Sequence, residues 1–402
     1  MRLPTPDLLG LRLSRHDQGA PDGAVSLGRR RLLVGAAVWS GTTIGTAAVG
    51  RTTDPGEAEI LIGQTAAFSG PLGAAVKTVF DASTLAFQNA NARGGISGRK
   101  VRVISLDDGL NPERAAANGR KLVEDERVVA LFGTVGGGAV QSLLPELHTN
   151  QVALVAPYAV TDAARDRARG VVFCVRASFA REFEVLVQHL TTIGITRIGL
   201  ARVAVAAEIP LLMREALARH GLAPAAEASI GLDGSGFEAG VSAIVAGRCQ
   251  ALILALDTAP AVRIVQALRS AGAPPAFYGL SLVDAERMWK ALDGHTSGLV
   301  VAQVMPSPWN DVDPEIHAFR AACRGASMQP SYHGLEGWIS ARVLLEALAR
   351  VGPTVNRASL LRALQGLRTR IAGMDVDFTA GSPTGSRFVE LVQINEQGRF
   401  VR

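Results

Sequence analysis

Residues 94–108 read GGISGRKVRVISLDD, and the apolar run VVALF at 128–132 leads directly into GTVGGG at 133–138. The Gly-Gly pair ends a helix-like segment, and the alternating apolar residues after it predict a strand. Asn111 followed by Pro112 is typical of a helix start, since proline lacks an N–H that the first turn leaves unpaired anyway. The glycines then leave bare main-chain groups behind the buried run VVALF. This stretch predicts an α/β scaffold that presents backbone groups to a ligand.

Apolar strands and helical segments alternate along the rest of the chain. Strands are predicted at 59–67, 152–156, 171–176, 197–203, 251–256, 276–280, 298–304 and 388–394, and helices at 73–92, 139–149, 208–220, 259–271, 313–325, 333–351 and 357–366. We expect the last strand to form a hairpin with the segment near 374–378. Such alternation is typical of parallel sheets with helices on both faces. Two series predict two doubly wound lobes, with ligands at the carboxyl ends of the strands.

The first 50 residues are interpreted as an export leader outside the fold. Arg29, Arg30 and Arg31 precede a small-residue apolar run that ends near Val49. Paired arginines followed by Leu-Leu favour the twin-arginine route, and a membrane anchor is the alternative. Without the six Arg and three Asp of this segment, the chain has 35 basic and 33 acidic residues. That balance predicts no nucleic-acid surface.

No motif for catalysis, metal binding or nucleotide binding is evident in the sequence. Cys174, Cys249 and Cys323 are odd in number and widely spaced, which gives neither a disulfide framework nor a zinc pattern. His333 and Glu336 are three residues apart but have no third ligand. A nucleophile elbow and a phosphate loop are also missing. We therefore expect no enzyme activity, no cofactor and no metal site.

Several other polar or aromatic residues are interpreted as structural. The arginines at 165, 167 and 169 alternate with small residues and are expected to be solvated. Asp107 and Asp108 are expected to organise the loop before Asn111. Trp309 and Trp338 are expected to pack near the boundary between the lobes.

At this point the chain resembles a known family, the type I periplasmic binding proteins of the leucine/isoleucine/valine-binding class. These are the solute receptors of ATP-driven importers. The matching stretches are GQTAAFSGPLG (63–73), the block at 91–136, PYAVTD (157–162), LEGWISARVLLEAL (335–348) and SRFVELVQINEQGRFV (386–401).

The resemblance implies two lobes joined by three chain crossings, near 174–180, 297–306 and 375–385. Lobe 1 would comprise 58–175 and 305–378, and lobe 2 would comprise 176–304 and 379–402. It further implies that ligand is trapped by closure of the lobes. The implied partners are a small-molecule ligand and a permease in the inner membrane, with the protein a monomer in the periplasm that binds no nucleic acid.

The candidate ligand-binding residues lie on loops at strand ends. They are Phe68, Ser69, Thr134, Val135, Gly136, Gly137, Gly138, Tyr158, Ala159, Val160, Thr161, Val205, Asp257, Thr258 and Ser281. The three glycines either cradle a ligand or form a flexible loop, and Tyr158 either stacks on a ligand or covers a strand end. Asp257 either binds a ligand group or caps the helix that follows.

Compared with the amino-acid receptors of this class, the chain lacks several polar groups. Glycines at 136–138 replace a serine-rich loop, and Thr258 replaces a common tyrosine. The usual threonine of the loop at 157–161 is either displaced or replaced by Val160. The loop 203–207, VAVAA, replaces an Asp-x-x-Tyr-Gly element. A buried ammonium needs acceptors, and only Asp257 is an obvious one.

These departures predict an aromatic or aliphatic carboxylate rather than a free amino acid, with a neutral hydrophobic compound as a further possibility. The alternative function is a ligand-sensing regulatory protein on the same fold. A secreted enzyme whose catalytic residues come from distant positions is a third reading.

Overall fold

The computed structural model describes residues 59–70, 72–272, 274–296, 298–395, 398 and 400–401. The predicted leader, residues 1–50, lies outside the described residues. The strands are β1 (Glu59–Ala66), β2 (Lys100–Asp107), β3 (Ala130–Phe132), β4 (Ala153–Val155), β5 (Val172–Phe173), β6 (Ile198–Val203), β7 (Ala226–Ile230), β8 (Ala251–Ala255), β9 (Ala276–Gly279), β10 (Leu299–Gln303), β11 (Arg368–Ile371), β12 (Met374–Asp377), β13 (Glu390–Ile394) and β14 (Phe400–Val401).

The helices follow the strands closely along the chain. They are α1 (Gly73–Ala92), α2 (Pro112–Arg120), α3 (Gly137–Thr149), α4 (Asp162–Arg167), α5 (Phe179–Thr192), α6 (Ile209–Ala218), α7 (Phe237–Ala246), α8 (Thr258–Ser270), α9 (Ala285–Ala291), α10 (Pro314–Gly325), α11 (Tyr332–Val351) and α12 (Arg357–Gln365). A π-helical turn, Lys121–Asp125, continues α2. Among the described residues, none of the helices combines the length and apolar character that a membrane crossing needs.

Two separate sheets organise the molecule. The first has the order β2-β1-β3-β4-β5 with every neighbour parallel. The second has the order β14-β13-β10-β9-β8-β6-β7, in which β6 to β10 run parallel and β13 and β14 are antiparallel additions. We call the residues packed on each sheet the first and second lobes. This is the doubly wound α/β architecture predicted from the alternation of strands and helices.

The chain passes between the lobes three times. It leaves the first sheet after β5, returns after β10 with α10 to α12, and enters the second sheet again at β13. Side chains of α10, α11 and α12 share one buried core with those of β1, β3 and β4. Within that core α1 and α11 approach so closely that a Cβ on Gly337 would lie 1.8 Å from the carbonyl oxygen of Val79.

The predicted hairpin between 374–378 and the last strand is wrong. Met374–Asp377 pairs instead with Arg368–Ile371, and Glu390–Ile394 pairs with β10. The reason is local: Ala372 and Gly373 alone separate β11 from β12, and their φ angles of 52° and 76° suit a two-residue hairpin turn. Strand β7, between the predicted helix at 208–220 and the predicted strand at 251–256, was not predicted.

Candidate functional site

The loops after β3 and β4 are joined by their backbones at the carboxyl edge of the first sheet. The N–H of Tyr158 donates to the carbonyl of Thr134 at 2.7 Å, and the N–H of Gly136 donates to the carbonyl of Tyr158 at 2.9 Å. Gly136 has a φ of 82°, a conformation that favours glycine. These two hydrogen bonds and the positive φ of Gly136 shape the glycine segment into a turn.

That turn leads into α3, whose first N–H groups are unpaired. The first helical bond runs from the N–H of Val140 to the carbonyl of Gly136 at 3.2 Å, and no side chain caps the helix. The N–H groups of Gly137, Gly138 and Ala139 precede that bond, so they have no intrahelical acceptor. Together with the helix dipole they form a place for an anion.

A cavity of about 650 Å³, which we call the first chamber, lies between these loops and the second lobe. Its walls are mostly aliphatic. The first lobe contributes Leu72, Val76, Leu110, Pro112, Val135, Gly136, Gly137, Gly138, Ala139, Gln141, Tyr158, Ala159, Thr161, Ala164 and Arg167, and the rest of the chain contributes Phe179, Val203, Val205, Ala206, Ala207, Glu208, Ile209, Leu232, Ala255, Asp257 and Leu282.

A second chamber of about 630 Å³ adjoins the first. The two share lining residues, namely Leu72, Val203, Leu232, Asp257 and Leu282. The residues that line the second chamber but not the first include five polar or charged ones, namely Thr258, Arg263, Asp284, Arg287 and His333. Together the chambers form one continuous cleft between the lobes.

The cleft brings together most of the candidate residues from the sequence. Those in its first chamber are Val135, Gly136, Gly137, Gly138, Tyr158, Ala159, Thr161, Val205 and Asp257, and Thr258 lines the second chamber. Phe68, Ser69, Thr134, Val160 and Ser281 line neither chamber.

Hydrogen bonds and burial explain why these residues line neither chamber. Ser69 donates its hydroxyl to Asp107, which also accepts the N–H of Phe68 at 2.9 Å, so this loop is tied to β2 rather than open to a ligand. These hydrogen bonds, above all that from the Ser69 hydroxyl, hold the pKa of Asp107 below its usual value. Val160 and Thr134 are fully buried.

Comparison with known proteins identifies the family to which this chain belongs. A family model described as periplasmic binding protein matches residues 59–399. The chain belongs to the periplasmic binding protein family. The sequence resemblance to its type I class is thereby confirmed.

Individual relatives agree with this assignment. The Leu/Ile/Val-binding protein homolog 7 of Brucella suis biovar 1 is 30% identical over 143 residues, which cover 34% of each chain. The match thus spans about a third of the length of the curated relatives. A substrate-binding periplasmic protein from Ralstonia solanacearum is 30% identical with a TM-score of 0.79, covering 85% of this chain and 99% of that one. LivJ from Streptococcus pneumoniae, solved with isoleucine, has a TM-score of 0.75 over 86% of this chain and 98% of that one; at 17% identity it shows the fold alone.

Asp257 is a distinctive acidic group of this periplasmic binding protein. It precedes α8 at the N-cap position, yet its side chain makes no capping hydrogen bond. Burial raises its pKa to about 6, because removal from water disfavours the charged carboxylate. The absence of a capping bond means that the capping interpretation is wrong, and Asp257 lines both chambers of the cleft.

A buried ion cluster behind the first chamber was missed from the sequence. The guanidinium of Arg176 contacts Glu182 at 3.1 Å, Glu336 at 3.2 Å and the hydroxyl of Ser281. It also lies 5.4 Å from the ring centroid of Tyr158. Ser281 donates its N–H to Glu182 at 2.7 Å, so it serves this cluster and not the cleft. The sequence signal for this cluster was Arg176, a charged residue directly after the apolar run VVFCV at 171–175.

Arg165 was wrongly expected to be solvated. Its side chain is 1% exposed and donates to the carbonyls of Val160, Arg176 and Ala177, each at 3.1 Å. It also donates to the hydroxyl of Thr384 at 3.1 Å. One arginine therefore ties the loop after β4 to two of the three passages between the lobes.

A further contact crosses the cleft directly. Glu208, before α6 in the second lobe, accepts the N–H of Ala163 at 2.6 Å. Ala163 is in the first turn of α4, whose N-cap Thr161 makes no capping bond with its side chain. The carboxylate thus takes the place of a cap from the opposite lobe.

The histidines, cysteines and carboxylates of the described residues can be compared with the arrangements that metal ions require. No group of three or more His, Cys, Asp or Glu among the described residues is arranged to hold a metal ion. The three cysteines are unpaired. His333 lies at the second chamber, while its sequence partner Glu336 pairs with Arg176 instead.

Proposed function

We propose that this protein is the solute-binding component of an ATP-driven importer, and that it traps a small carboxylic acid with an apolar body. The ligand would enter the cleft, place its carboxylate against the start of α3 and fill the first chamber with its apolar part. Closure of the lobes would hold it until the permease receives it, chemically unchanged.

The observation that carries this proposal is the chemistry of the first chamber. Three unpaired backbone N–H groups lie at one wall, and the remaining walls are largely aliphatic or aromatic. These three N–H groups favour a carboxylate, because they have no other acceptor among the described residues. The helix dipole adds to their attraction for the anion. The aliphatic walls favour hydrocarbon by about 25 cal/mol for each Å² removed from water.

A free amino acid fits less well than a simple acid. Its ammonium would need several acceptors, since an unpaired buried charge costs several kcal/mol. Two carboxyl groups line the first chamber, those of Asp257 and Glu208. Burial disfavours the charged form of Asp257, and Glu208 already accepts the N–H of Ala163. LivJ was solved with isoleucine, but the shared fold carries no specificity to this chain.

The remaining parts of the proposal concern the protein's setting. We place it in the periplasm as a monomer, exported by the twin-arginine route, with an inner-membrane permease as its partner and no nucleic acid. The lobe boundaries are taken as 58–175 with 305–378, and 176–304 with 379–402. Members of this family are substrate-binding proteins, and we propose no enzymatic activity or cofactor here.

The test is calorimetry with 3-phenylpropanoate and octanoate, compared with leucine and 3-phenylpropanol. We expect both acids to bind more tightly than leucine, and the alcohol to bind weakly because it lacks the anion. Tight leucine binding with no binding of either acid would refute the proposed ligand class.

A matched pair of variants tests the anion site. Gly137→Pro removes one N–H at the first helical position, which proline tolerates, and the ψ of 154° at Gly136 suits a residue before proline. Gly137→Ala adds a comparable Cβ, 3.3 Å from that of Ala164, but keeps the N–H. We expect Gly137→Pro to weaken acid binding by about tenfold and Gly137→Ala to weaken it much less.

A further inference from the structure

The second chamber nearly doubles the volume of the cleft, and several polar or charged side chains line it. It adds about 630 Å³ beside a first chamber of about 650 Å³. Either volume by itself suits a ligand of drug-like size. A simple acid in the first chamber would leave the second one to water.

His333 and Asp284 are buried polar groups that line this second chamber. The side chain of His333 is 5% exposed and interacts electrostatically with the carboxylate of Asp284, while no hydrogen bond between described residues involves its ring. It lies in the first turn of α11, which the hydroxyl of Ser331 caps through the N–H of Gly334 at 3.0 Å. The ring is therefore held by a rigid element and has a polar atom left for a ligand.

Arg263 provides a cation on the opposite lobe. Its guanidinium lies 4.4 Å from the ring centroid of Phe237, and it has no carboxylate partner among the described residues. Stacking on the ring leaves the N–H edge of the guanidinium available. The other charged groups facing this chamber are Asp284 and Arg287, which pair at 3.4 Å, and Asp257.

The polar groups are divided between the two chambers. The N–H groups of α3 line only the first chamber, Asp257 lines both, and Arg263 with His333 line only the second. A ligand that reaches from the first chamber into the second would meet an anion site, apolar walls, a hydrogen-bond acceptor and donors.

We propose that the ligand spans both chambers as an elongated acid with a hydrogen-bond donor near its middle and a second anionic or acceptor group at its far end. An aromatic acid joined through an amide to a short carboxylic acid has this pattern. Its amide N–H donates to Asp257 and its far carboxylate accepts from Arg263 and His333. This inference rests on the proposed function and names the class of acid.

The probes are chosen to separate the parts of this ligand. 4-(Succinylamino)benzoate carries both carboxylates and the amide, 4-(succinyloxy)benzoate replaces the N–H by an ester oxygen, and benzoate ends at the first chamber. Calorimetry on the whole protein should give an affinity for the amide about tenfold or more above that for benzoate. The ester should be weaker than the amide, and this difference should vanish in Asp257→Leu.

The variants His333→Phe and Arg263→Gln locate the far carboxylate. Each should reduce the affinity for 4-(succinylamino)benzoate by about tenfold and leave that for benzoate unchanged, which also shows that the variant folds. His333→Gln keeps a hydrogen-bond donor and should restore part of the loss. Arg362→Gln, an exposed position on α12, is the control and should change neither affinity.

Two outcomes would overturn the inference. Equal affinity for the amide and for benzoate would restrict the ligand to the first chamber and leave the proposed function standing. Failure of every carboxylate probe would refute both, and tight leucine binding in the same samples would show that the protein is active.

Discussion

Arg176 holds its charge at 2% exposure because carboxylates from two parts of the fold face its guanidinium. Glu182 belongs to α5 beside the second sheet, and Glu336 belongs to α11 beside the first. Burial raises the pKa of Glu182, while the Arg176 charge opposes that effect. Each charge of this cluster therefore offsets the burial cost of the others. Removing one of them leaves a buried charge without a partner, and that is what destabilises the fold.

Replacement of Arg176 by glutamine should be strongly destabilising. It leaves two buried carboxylates without their cation, which typically costs about 3–5 kcal/mol of unfolding free energy. The matched comparison is Lys77→Ala, which breaks the exposed Lys77–Asp81 pair of α1 and should cost less than about 1 kcal/mol. Urea denaturation measures both, and similar small losses for the two variants would contradict the role of the cluster.

Asp257 gives a prediction about pH. Its pKa is about 6 in the folded protein against an ordinary value of 3.8, so the folded state binds the proton more tightly than the unfolded chain. Its contribution to stability is therefore fully present below about pH 4 and lost as pH rises through about 6. Asp257→Asn avoids that loss and should raise the melting temperature at pH 7.5 but not at pH 3.5. An equal change at both pH values would argue against a buried, ionising carboxyl.

Secondary-structure elements were predictable where the information is local. The limits of α10, α11 and α12 follow from helical periodicity and from capping residues such as Asp313 and Asn356. Residues whose environment comes from distant segments were not predictable. Arg165 resembles a surface residue until Thr384, 219 positions away, is placed beside it.

The same distinction applies to the candidate site. Loops at strand ends could be identified from the alternation of elements, and these loops do line the cleft. Which side chain on each loop faces the cavity depends on packing: Tyr158 lines the first chamber, while Val160, two residues later, packs in the core. Ser281 was predicted to bind ligand only from its position on a loop. In the structure its N–H donates to Glu182, a buried residue of α5.

The short helix α4 yields a prediction at the level of elements, because Glu208 of the opposite lobe supplies its cap. Glu208→Ala removes the only acceptor that the described residues offer to the N–H of Ala163, and should destabilise the closed arrangement by about 1 kcal/mol. We expect a roughly fivefold weaker affinity for 3-phenylpropanoate. Glu208→Gln keeps an acceptor oxygen and should lose less. An unchanged affinity in Glu208→Ala would mean that this contact does not depend on closure.

At the scale of the whole molecule, a ligand in this cleft touches both lobes at once. Its walls come from loops of both sheets, which three passages of the chain connect. If the proposed closure occurs through small backbone changes in these passages, both cores can stay packed. Ligand binding and lobe arrangement should therefore be coupled.

That coupling can be measured by small-angle scattering and thermal unfolding on the same samples. 3-Phenylpropanoate at about 100 times its Kd should add roughly 2.7 kcal/mol to the unfolding free energy, and the radius of gyration should fall as the lobes close. Gly137→Pro, at the same concentration, should show smaller changes in both quantities because fewer of its molecules are occupied, whereas Gly137→Ala should resemble the original protein. Stabilisation without any fall in the radius of gyration would mean that the acid binds to lobes that are already closed, and the trapping step would then have to be sought elsewhere in the molecule.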